Sequence, residues 1–261
     1  MNKIYNIDDL KKCIENLGIM PTDTLLIHSS MTSIGEVQGG ADTVLDAFSD
    51  YLKDGLLIFP THTWAQINET YNTYNPATEP ACVGLLPNMF RRRPNVLRSL
   101  HPTHSVAALG KDACDYISGE EQSESPCPRN GCWGKLYDRK AKILFLGCSL
   151  KSNTFLHGVE EWNHTPNRIA DTYQQLYIVT PNGTVSRPMY RHYHPNIDVS
   201  DHYDIMENAF LEKGIAKIGT FGDAKCYICD AVGMADLLNE FLKRKPQLFD
   251  TSEPIPEEWY K

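Results

Sequence analysis

Apolar residues recur three or four positions apart in several segments of the chain, and this spacing places them on one face of an α-helix. Leu10, Ile14 and Leu17 follow it near the start of the chain, and Val44 and Phe48 follow it further on. The pattern predicts helices over residues 7–17, 41–52 and 84–92, with a last amphipathic helix that includes Met234, Leu237, Leu238 and Phe241.

Short continuous apolar runs lie between these helices, and such runs are typical of buried β-strands. They predict strands over residues 24–28, 56–59, 106–109, 143–146 and 226–229. A β-hairpin is predicted where residues 177–179 and 184–185 flank Pro181-Asn182-Gly183. Because helices and strands interleave, we predict an α/β or mixed α+β fold, a central mixed sheet flanked by helices. We expect one domain over residues 1–261, with a polar tail after residue 246.

Composition excludes several classes of function. Hydrophobic residues make up 41% of the chain and charged residues 22%, and no run of about 18 apolar residues offers a membrane span. The formal net charge of −8 disfavours a nucleic-acid partner and favours a cationic ligand. The N-terminal segment lacks the apolar stretch of a signal peptide, so we expect a cytoplasmic protein whose eight cysteines are free thiols.

A loop rich in serine and glycine joins the predicted strand 24–28 to the helix 41–52. In that arrangement backbone N–H groups and the helix dipole point toward an anion, such as the pyrophosphate of coenzyme A (CoA). The loop has neither the order of a Walker motif nor that of a dinucleotide-binding fold. A flexible strand-to-helix turn explains the same residues, so the loop alone leaves both interpretations open.

His157 and Glu160 are the clearest candidates for acid–base chemistry. Three residues apart on a helix, they share one face, and Glu160 could then orient one imidazole nitrogen of His157. The other nitrogen would be free to take a proton from an amine. From spacing alone, an ordinary pair on a helix surface accounts for them equally well.

Several ordered motifs resemble the aminoglycoside 3-N-acetyltransferase family, which differs in fold from the common GNAT acetyltransferases. The resemblance extends from about residue 24 to about residue 242. Its motifs are His28-Ser-Ser-Met-Thr-Ser-Ile-Gly-Glu-Val-Gln-Gly-Gly40, Pro60-Thr-His-Thr63, Leu97-Arg-Ser-Leu-His-Pro-Thr-His-Ser105, Ser125-Pro with Gly134-Lys-Leu, and Asn153-Thr-Phe-Leu-His-Gly-Val-Glu160.

This resemblance implies a role for each matching residue. The catalytic histidine and glutamate of the family correspond to His157 and Glu160, and acetyl-CoA and amine occupy the site together, so transfer is direct. Thr154 is a candidate for stabilising the oxyanion, and His101 and Ser105 are expected to line the acetyl site. The expected CoA contacts are Ser29, Ser30, Ile34, Gly35, Val37, Arg98, Ser99 and Ser105.

The acceptor implied by the resemblance is a cationic amino sugar, an aminoglycoside acetylated at its 3-amino group. The chain departs from the resistance enzymes in its substrate-side insertion, which we place around residues 63–95, and after Glu160. A biosynthetic amino sugar or another small amine therefore stays open as the acceptor, and so does a homodimer. We expect no metal.

Other groups of cysteine, histidine, arginine and tryptophan residues suggest alternative binding sites. Four cysteines could bind zinc, but two of them lie in a predicted strand whose successive side chains face opposite sides. The three histidines between residues 192 and 202 could bind a metal or the sugar, but we expect a solvated loop. The arginines 91–93 fit either the 3′-phosphate of CoA or a solvated helix end. One tryptophan could stack on a sugar ring, although core packing is the default expectation. A metal- or thiol-dependent hydrolase and a non-catalytic CoA-binding relative are the competing functions. The residues concerned are Cys127, Cys132, Cys226, Cys229, His192, His194, His202, Arg91, Arg92, Arg93, Trp64, Trp133 and Trp162.

Overall fold

The computed structural model describes residues 3–261, and its helices and strands alternate along the chain. The helices are α1 (Ile7–Asn16), α2 (Gly40–Tyr51), α3 (Leu85–Phe90), α4 (Ala113–Ile117), α5 (Cys132–Asp138), α6 (Thr154–Trp162), α7 (Glu207–Glu212) and α8 (Ala231–Arg244). The strands are β1 (Ile4–Tyr5), β2 (Thr24–Ser29), β3 (Glu36–Val37), β4 (Leu56–Pro60), β5 (Thr73–Tyr74), β6 (Leu97–Arg98), β7 (Val106–Gly110), β8 (Lys142–Leu146), β9 (Gln174–Thr180), β10 (Gly183–Met189), β11 (Ala216–Phe221) and β12 (Ala224–Asp230).

A seven-stranded mixed sheet forms the centre of the fold, which confirms the predicted architecture. Its strand order is β11-β12-β8-β2-β4-β7-β6. The three central strands β8, β2 and β4 run parallel to one another, and antiparallel strands extend the sheet on both sides. All five predicted strand runs lie in this sheet, as β2, β4, β7, β8 and β12.

The sheet is buried on both faces because its central strands are apolar at successive positions. In β2, Leu26 packs on the side of the sheet that holds Trp133 and Phe241, while Leu25 and Ile27 pack on the opposite side. Helices α5, α6 and α8 cover the first side, and α1 and α2 cover the second. Each fully buried Leu or Ile contributes roughly 1.5–3 kcal/mol, so this alternation fixes the register of the strand.

A second, three-stranded sheet with the order β10-β9-β5 contains the predicted hairpin. Gly183 pairs with Thr180, so the loop is the two residues Pro181 and Asn182. Strand β5 comes from the segment that we predicted as a substrate-side insertion. A separate small core lies beneath this sheet; it consists of Ile67, Tyr74, Leu176, Ile178 and Met189.

The segment after residue 246 does not behave as a polar tail. Leu248, Phe249 and Ile255 are buried and extend the core around α8. Asp250, in a short 3-10 helix Leu248–Asp250, forms an ion pair with Arg168. The prediction was wrong because a few apolar residues in an acidic segment are enough to pack it. Within residues 3–261, no helix is both long enough and apolar enough to cross a membrane.

Candidate active site

A cavity of about 610 Å³ opens at the carboxyl ends of the three central parallel strands. His28 and Ser29 end β2, Pro60 ends β4, and Thr154 begins α6 shortly after β8. Parallel neighbours end at the same edge of a sheet, which is where ligands bind in open α/β folds. The cavity is lined, among others, by His28, Ser29, His62, Trp64, Thr103, His104, Lys151, Ser152, Thr154, His157, Arg168, Arg191, His192, Tyr193, His194 and Asp198.

His157 lies in the second turn of α6 and is joined to Glu160 through a tyrosine. The Tyr203 hydroxyl lies 2.7 Å from Nδ1 of His157. The same hydroxyl donates to Oε2 of Glu160 at 2.7 Å. Glu160 therefore acts on the imidazole nitrogen through Tyr203, from the 3-10 helix Val199–Met206, and not by the direct contact that their spacing suggested.

This chain of hydrogen bonds determines which nitrogen of His157 carries the hydrogen. Tyr203 has one hydroxyl hydrogen, and the Glu160 carboxylate can only accept it. The Tyr203 oxygen then accepts a hydrogen bond from Nδ1–H of His157. The lone pair of the neutral ring is left on Nε2, which makes no hydrogen bond with any residue between 3 and 261 and belongs to a side chain that lines the cavity.

A buried ion pair fixes Glu160. Nε of Arg168 donates to Oε1 of Glu160 at 2.5 Å, and Nη2 of Arg168 donates to Asp250 at 2.6 Å. Burial raises the pKa of Glu160, whereas Arg168 and Tyr203 oppose that shift. Burial also tends to lower the pKa of Arg168, but its two carboxylate partners outweigh burial and raise it. The guanidinium thus keeps the carboxylate in the form that accepts from Tyr203.

The surroundings of His157 keep its ring neutral. Burial lowers the pKa of His157 well below its ordinary value of 6.5, and the neighbouring His192 lowers it further. The ring of His192 stacks on that of His157, with centroids 4.4 Å apart, and meets the ring of His104 edge-on at 4.9 Å. A histidine with a low pKa is deprotonated at neutral pH and can accept a proton.

The expected solvated loop of histidines is a wrong prediction. His192 belongs to the cluster of rings beside His157. Nδ1 of His194 accepts from the backbone N–H of Asn196 and Ile197. Nδ1 of His202 lies 2.8 Å from the carbonyl oxygen of Phe249. No pattern in the local sequence distinguishes these packed rings from solvated ones.

Thr154, the first residue of α6, faces the cavity and touches a second buried histidine. Its hydroxyl lies 3.1 Å from Nε2 of His62. Burial lowers the pKa of His62 well below 6.5, so this ring is also neutral. Nδ1 of His62 is buried without a partner in the described chain. An unpaired buried N–H costs more than an unpaired lone pair, so Nε2 carries the hydrogen and the Thr154 hydroxyl is free to donate into the cavity.

The loop predicted to bind CoA contains a 3-10 helix, Met31–Ile34, between β2 and β3. Ser29 lines the cavity, and its hydroxyl is buried with no protein partner within residues 3–261. The Ser30 hydroxyl accepts from Ser33, 2.9 Å away. The side chain of Ile34 is fully buried in the core. Ser29 is therefore the residue of this loop best placed for a ligand.

Gly35 is required by the fold at this position. Its φ is +87°, and a Cβ built there would stand 2.2 Å from Oδ2 of Asp223. Asp223 also accepts a hydrogen bond from Tyr5 at 2.6 Å. Val37 follows in β3, half-buried and paired with Tyr5 of β1.

Four residues of the motif 97–105 make contacts inside the protein and do not line the cavity, contrary to the prediction. Arg98 donates to Thr61 and Ser105 and to the carbonyl oxygens of Pro76 and Glu79. The Ser105 hydroxyl donates to the carbonyl oxygen of Thr61 at 2.7 Å. Arg98 and Ser105 thus join the end of β4 to the loop after β5 instead of contacting CoA.

Ser99 and His101 are fully buried. The Ser99 hydroxyl accepts from the backbone N–H of Val106. Nδ1 of His101 accepts from the backbone N–H of Thr103 and His104, and Nε2 lies 2.9 Å from the carbonyl oxygen of Ser125. His101 therefore shapes the turn that positions His104 and does not line the acetyl site.

The remaining tryptophan, arginine and cysteine candidates lie in different parts of the protein. Trp133 is buried, whereas Trp64 is 44% exposed and lines the cavity. Arg93 pairs with Asp42 and Asp46, away from the cavity. Cys226 and Cys229 belong to the cores on opposite faces of the sheet. Within residues 3–261, no three His, Cys, Asp or Glu side chains are grouped to hold a metal ion.

Sequence reasoning missed Tyr203, Arg168, His62 and Arg191. His62 lies in the motif Pro60-Thr-His-Thr63, and that motif was the only available signal. Tyr203 and Arg168 come from segments that follow α6 in the sequence and carry no recognisable pattern. Only the fold brings them to the buried side of His157.

Comparison with known proteins identifies the family of this chain. A sequence model described as aminoglycoside 3-N-acetyltransferase matches residues 26–243. Aminoglycoside N(3)-acetyltransferase VII of Streptomyces paromomycinus is 25% identical over 268 residues, 90% of this chain and 91% of that protein.

Solved structures share the fold. AAC-IIIb in binary complex with CoASH has a TM-score of 0.81 and 22% identity, covering 97% of this chain and 100% of its own. A mutant of the aminoglycoside acetyltransferase AAC(3)-IVa in complex with a gentamicin has a TM-score of 0.83 and 24% identity, covering 100% and 96%. This chain belongs to the aminoglycoside 3-N-acetyltransferase family of enzymes.

Proposed function

We propose that the protein transfers an acetyl group directly from acetyl-CoA to an amino group of an amino sugar, the class that includes the aminoglycosides, with His157 as general base. The observation that carries this proposal is the neutral His157 ring, whose Nδ1 is held by Tyr203 and Glu160 while the ring lines the cavity. Support comes from the family, from AAC-IIIb with CoASH and from AAC(3)-IVa with a gentamicin.

The CoA end of the cavity is the edge where β2 and β8 finish. Ser29 ends β2, and Lys151 and Ser152 follow β8, the strand paired with it. The free Ser29 hydroxyl can hydrogen-bond to the pantetheine or a phosphate, and the Lys151 ammonium can neutralise a phosphate. With CoA bound there, the thioester reaches the start of α6.

The chemical step moves one proton from nitrogen to sulfur. The neutral amine attacks the thioester carbonyl carbon, and its nitrogen becomes positive as the C–N bond forms. Nε2 of His157 takes that proton. The tetrahedral intermediate then expels the CoA thiolate, which takes the proton from the imidazolium. The products are the amide and free CoA thiol, and His157 returns to its neutral form.

In this mechanism Thr154 stabilises the oxyanion. With the hydrogen of His62 assigned to Nε2, the imidazole donates to the Thr154 oxygen, and the Thr154 hydroxyl is free to donate into the cavity. The first turn of α6 adds backbone N–H groups and the positive end of the helix dipole on the same side. These groups stabilise the negative charge on the carbonyl oxygen as it develops.

The test compares His157→Ala with the wild-type enzyme in a thiol-release assay with acetyl-CoA and a panel of amino sugars and aminoglycosides. We expect kcat to fall by about 10²–10⁴, the usual contribution of a general base, while the Kd for CoA is unchanged. Near-normal turnover in the variant would remove His157 from the mechanism. Thiol release by the wild type without an amine would indicate a hydrolase, and CoA binding without any turnover would indicate a non-catalytic relative.

A further inference from the structure

The charged side chains that line the cavity are mostly positive. Lys151, Arg168 and Arg191 carry cationic groups there, and Asp198 supplies the carboxylate. An aminoglycoside carries several ammonium groups, and a site for it needs carboxylates to replace their hydration. The net charge of −8 belongs to the whole chain and does not describe this cavity.

Most of these charges already have protein partners. Arg168 is neutralised by Glu160 and Asp250. Lys151 lies 3.8 Å from Asp201, on the side of the cavity assigned to CoA. The Asp198 carboxylate accepts from the backbone N–H and the hydroxyl of Ser200 and caps a 3-10 helix.

Arg191 differs from the others because no carboxylate within residues 3–261 lies in ion-pair distance of it. Its Nη2 donates to the carbonyl oxygen of Trp64 at 2.6 Å, and Nη1 donates to Gln174 at 3.4 Å. A guanidinium has five N–H donors, so three remain for a ligand. The two contacts hold the group beside the half-exposed ring of Trp64.

The position of Arg191 is on the acceptor side of the cavity. It follows β10 in the small sheet, and its contact with Trp64 joins it to the segment predicted to lie near the substrate. The next residue, His192, stacks on the ring of His157. Tyr193, 48% exposed, lines the same wall. Arg191 therefore lines the same cavity as His157 and precedes, in the sequence, the residue that stacks on it.

We propose that the acceptor is an amino sugar that carries an anionic oxygen group, a phosphate or a carboxylate, and that Arg191 binds this group while Trp64 and Tyr193 flank the sugar. This inference rests on the proposed acetyl transfer and narrows its acceptor. A guanidinium matches phosphate and carboxylate through paired N–H donors, and aromatic rings cover the apolar face of a sugar. A polycationic acceptor instead meets an unneutralised positive charge.

Four acceptors test the proposal with the full-length enzyme: glucosamine, glucosamine 6-phosphate, 2-amino-2-deoxyglucuronic acid and gentamicin. We expect kcat/KM to be highest for one of the two anionic sugars and lowest for gentamicin. The better of the two identifies the anionic group as phosphate or carboxylate. A higher kcat/KM for gentamicin or glucosamine than for both anionic sugars would overturn the inference and leave acetyl transfer standing.

The variant Arg191→Gln should lower the ratio of kcat/KM for the better anionic sugar to that for glucosamine by about 10- to 100-fold, the usual effect of losing hydrogen bonds to a charged group. Arg191→Lys should retain part of the ratio. Arg187→Gln is the matched control, because Arg187 contacts Glu121 and Glu124 outside the cavity, and it should retain the full ratio. An unchanged ratio with a raised KM for acetyl-CoA would assign Arg191 to CoA and contradict the proposal.

Calorimetric titration of the CoA-saturated protein tests the binding of an anionic sugar separately from acetyl transfer. Tighter binding of glucosamine 6-phosphate or the aminouronic acid than of glucosamine, lost in Arg191→Gln, supports the anionic site whether or not turnover occurs. Equal binding of all three sugars contradicts it. Absence of thiol release with all four acceptors, in contrast, counts against the proposed function.

Discussion

The two walls of the cavity are built differently. On the base side, Glu160, Arg168 and Tyr203 are buried, and their hydrogen bonds to one another and to His157 form one network. On the acceptor side, Trp64 and Tyr193 are about half exposed, and Arg191 keeps donors without partners. The base side is attached to the central sheet through α6, whereas the acceptor side comes from loops and the small sheet. In the proposed mechanism, the core thus fixes the groups that carry the chemistry, and specificity is left to segments that can vary.

The largest expected loss of stability comes from a substitution on the base side. Glu160→Ala leaves the Arg168 guanidinium buried with only Asp250 as a carboxylate partner, and loss of one partner of a buried ion pair costs about 3–5 kcal/mol. The matched change on the acceptor side is Arg191→Gln, which removes a side chain whose partners are Gln174 and the carbonyl oxygen of Trp64 and should cost about 1 kcal/mol. Urea unfolding of both variants measures the difference. Equal losses of unfolding free energy would contradict the contrast between the two walls.

A second prediction concerns pH and the histidine at the floor of the cavity. Burial lowers the pKa of His28 from 6.5 to about 3, so the unfolded chain binds a proton there before the folded protein does. The contribution of His28 to the free energy of unfolding is therefore complete above pH 6.5. It is lost as the pH falls toward 3, at about 1.4 kcal/mol per pH unit. The His28 ring stacks on Phe145, with centroids 5.1 Å apart, so His28→Phe keeps an aromatic ring there.

Urea unfolding at pH 7.5, 6 and 5 tests this prediction. The wild-type free energy of unfolding should fall more steeply with acidification than that of His28→Phe. Parallel curves of unfolding free energy against pH would show that the pKa of His28 is the same in the folded and unfolded protein, and would contradict the prediction.

Much of the fold was predictable from the sequence because it depends on local patterns. The apolar runs of β2 and β4 and the turn at Pro181-Asn182 are each contained in a few neighbouring residues. His157 was identified differently, from the resemblance of several ordered motifs along the chain, because its spacing to Glu160 alone is also that of an ordinary helix pair. Tyr203 and Arg168, which act on it, were not identified, because they are positioned by tertiary packing.

The wrong site predictions have the same cause. Arg98 and Ser99 lie in a motif that points to a ligand, and nothing local shows that their polar groups are used inside the protein. His192 looked solvated because its neighbours in the sequence are polar, although its neighbours in space are His104 and His157. Buried polar contacts between distant segments are the part of a site that sequence periodicity does not encode.

The central claim is that burial keeps His157 neutral and that Tyr203 and Glu160 fix its lone pair on Nε2. Nitrogen-15 chemical shifts of the His157 ring at pH 7 measure this directly, because a protonated and an unprotonated ring nitrogen resonate in separate regions. We expect a protonated Nδ1 and an unprotonated Nε2 in the wild type, and loss of this single state in Tyr203→Phe. A doubly protonated ring at pH 7, or a hydrogen on Nε2 in the wild type, would contradict the account.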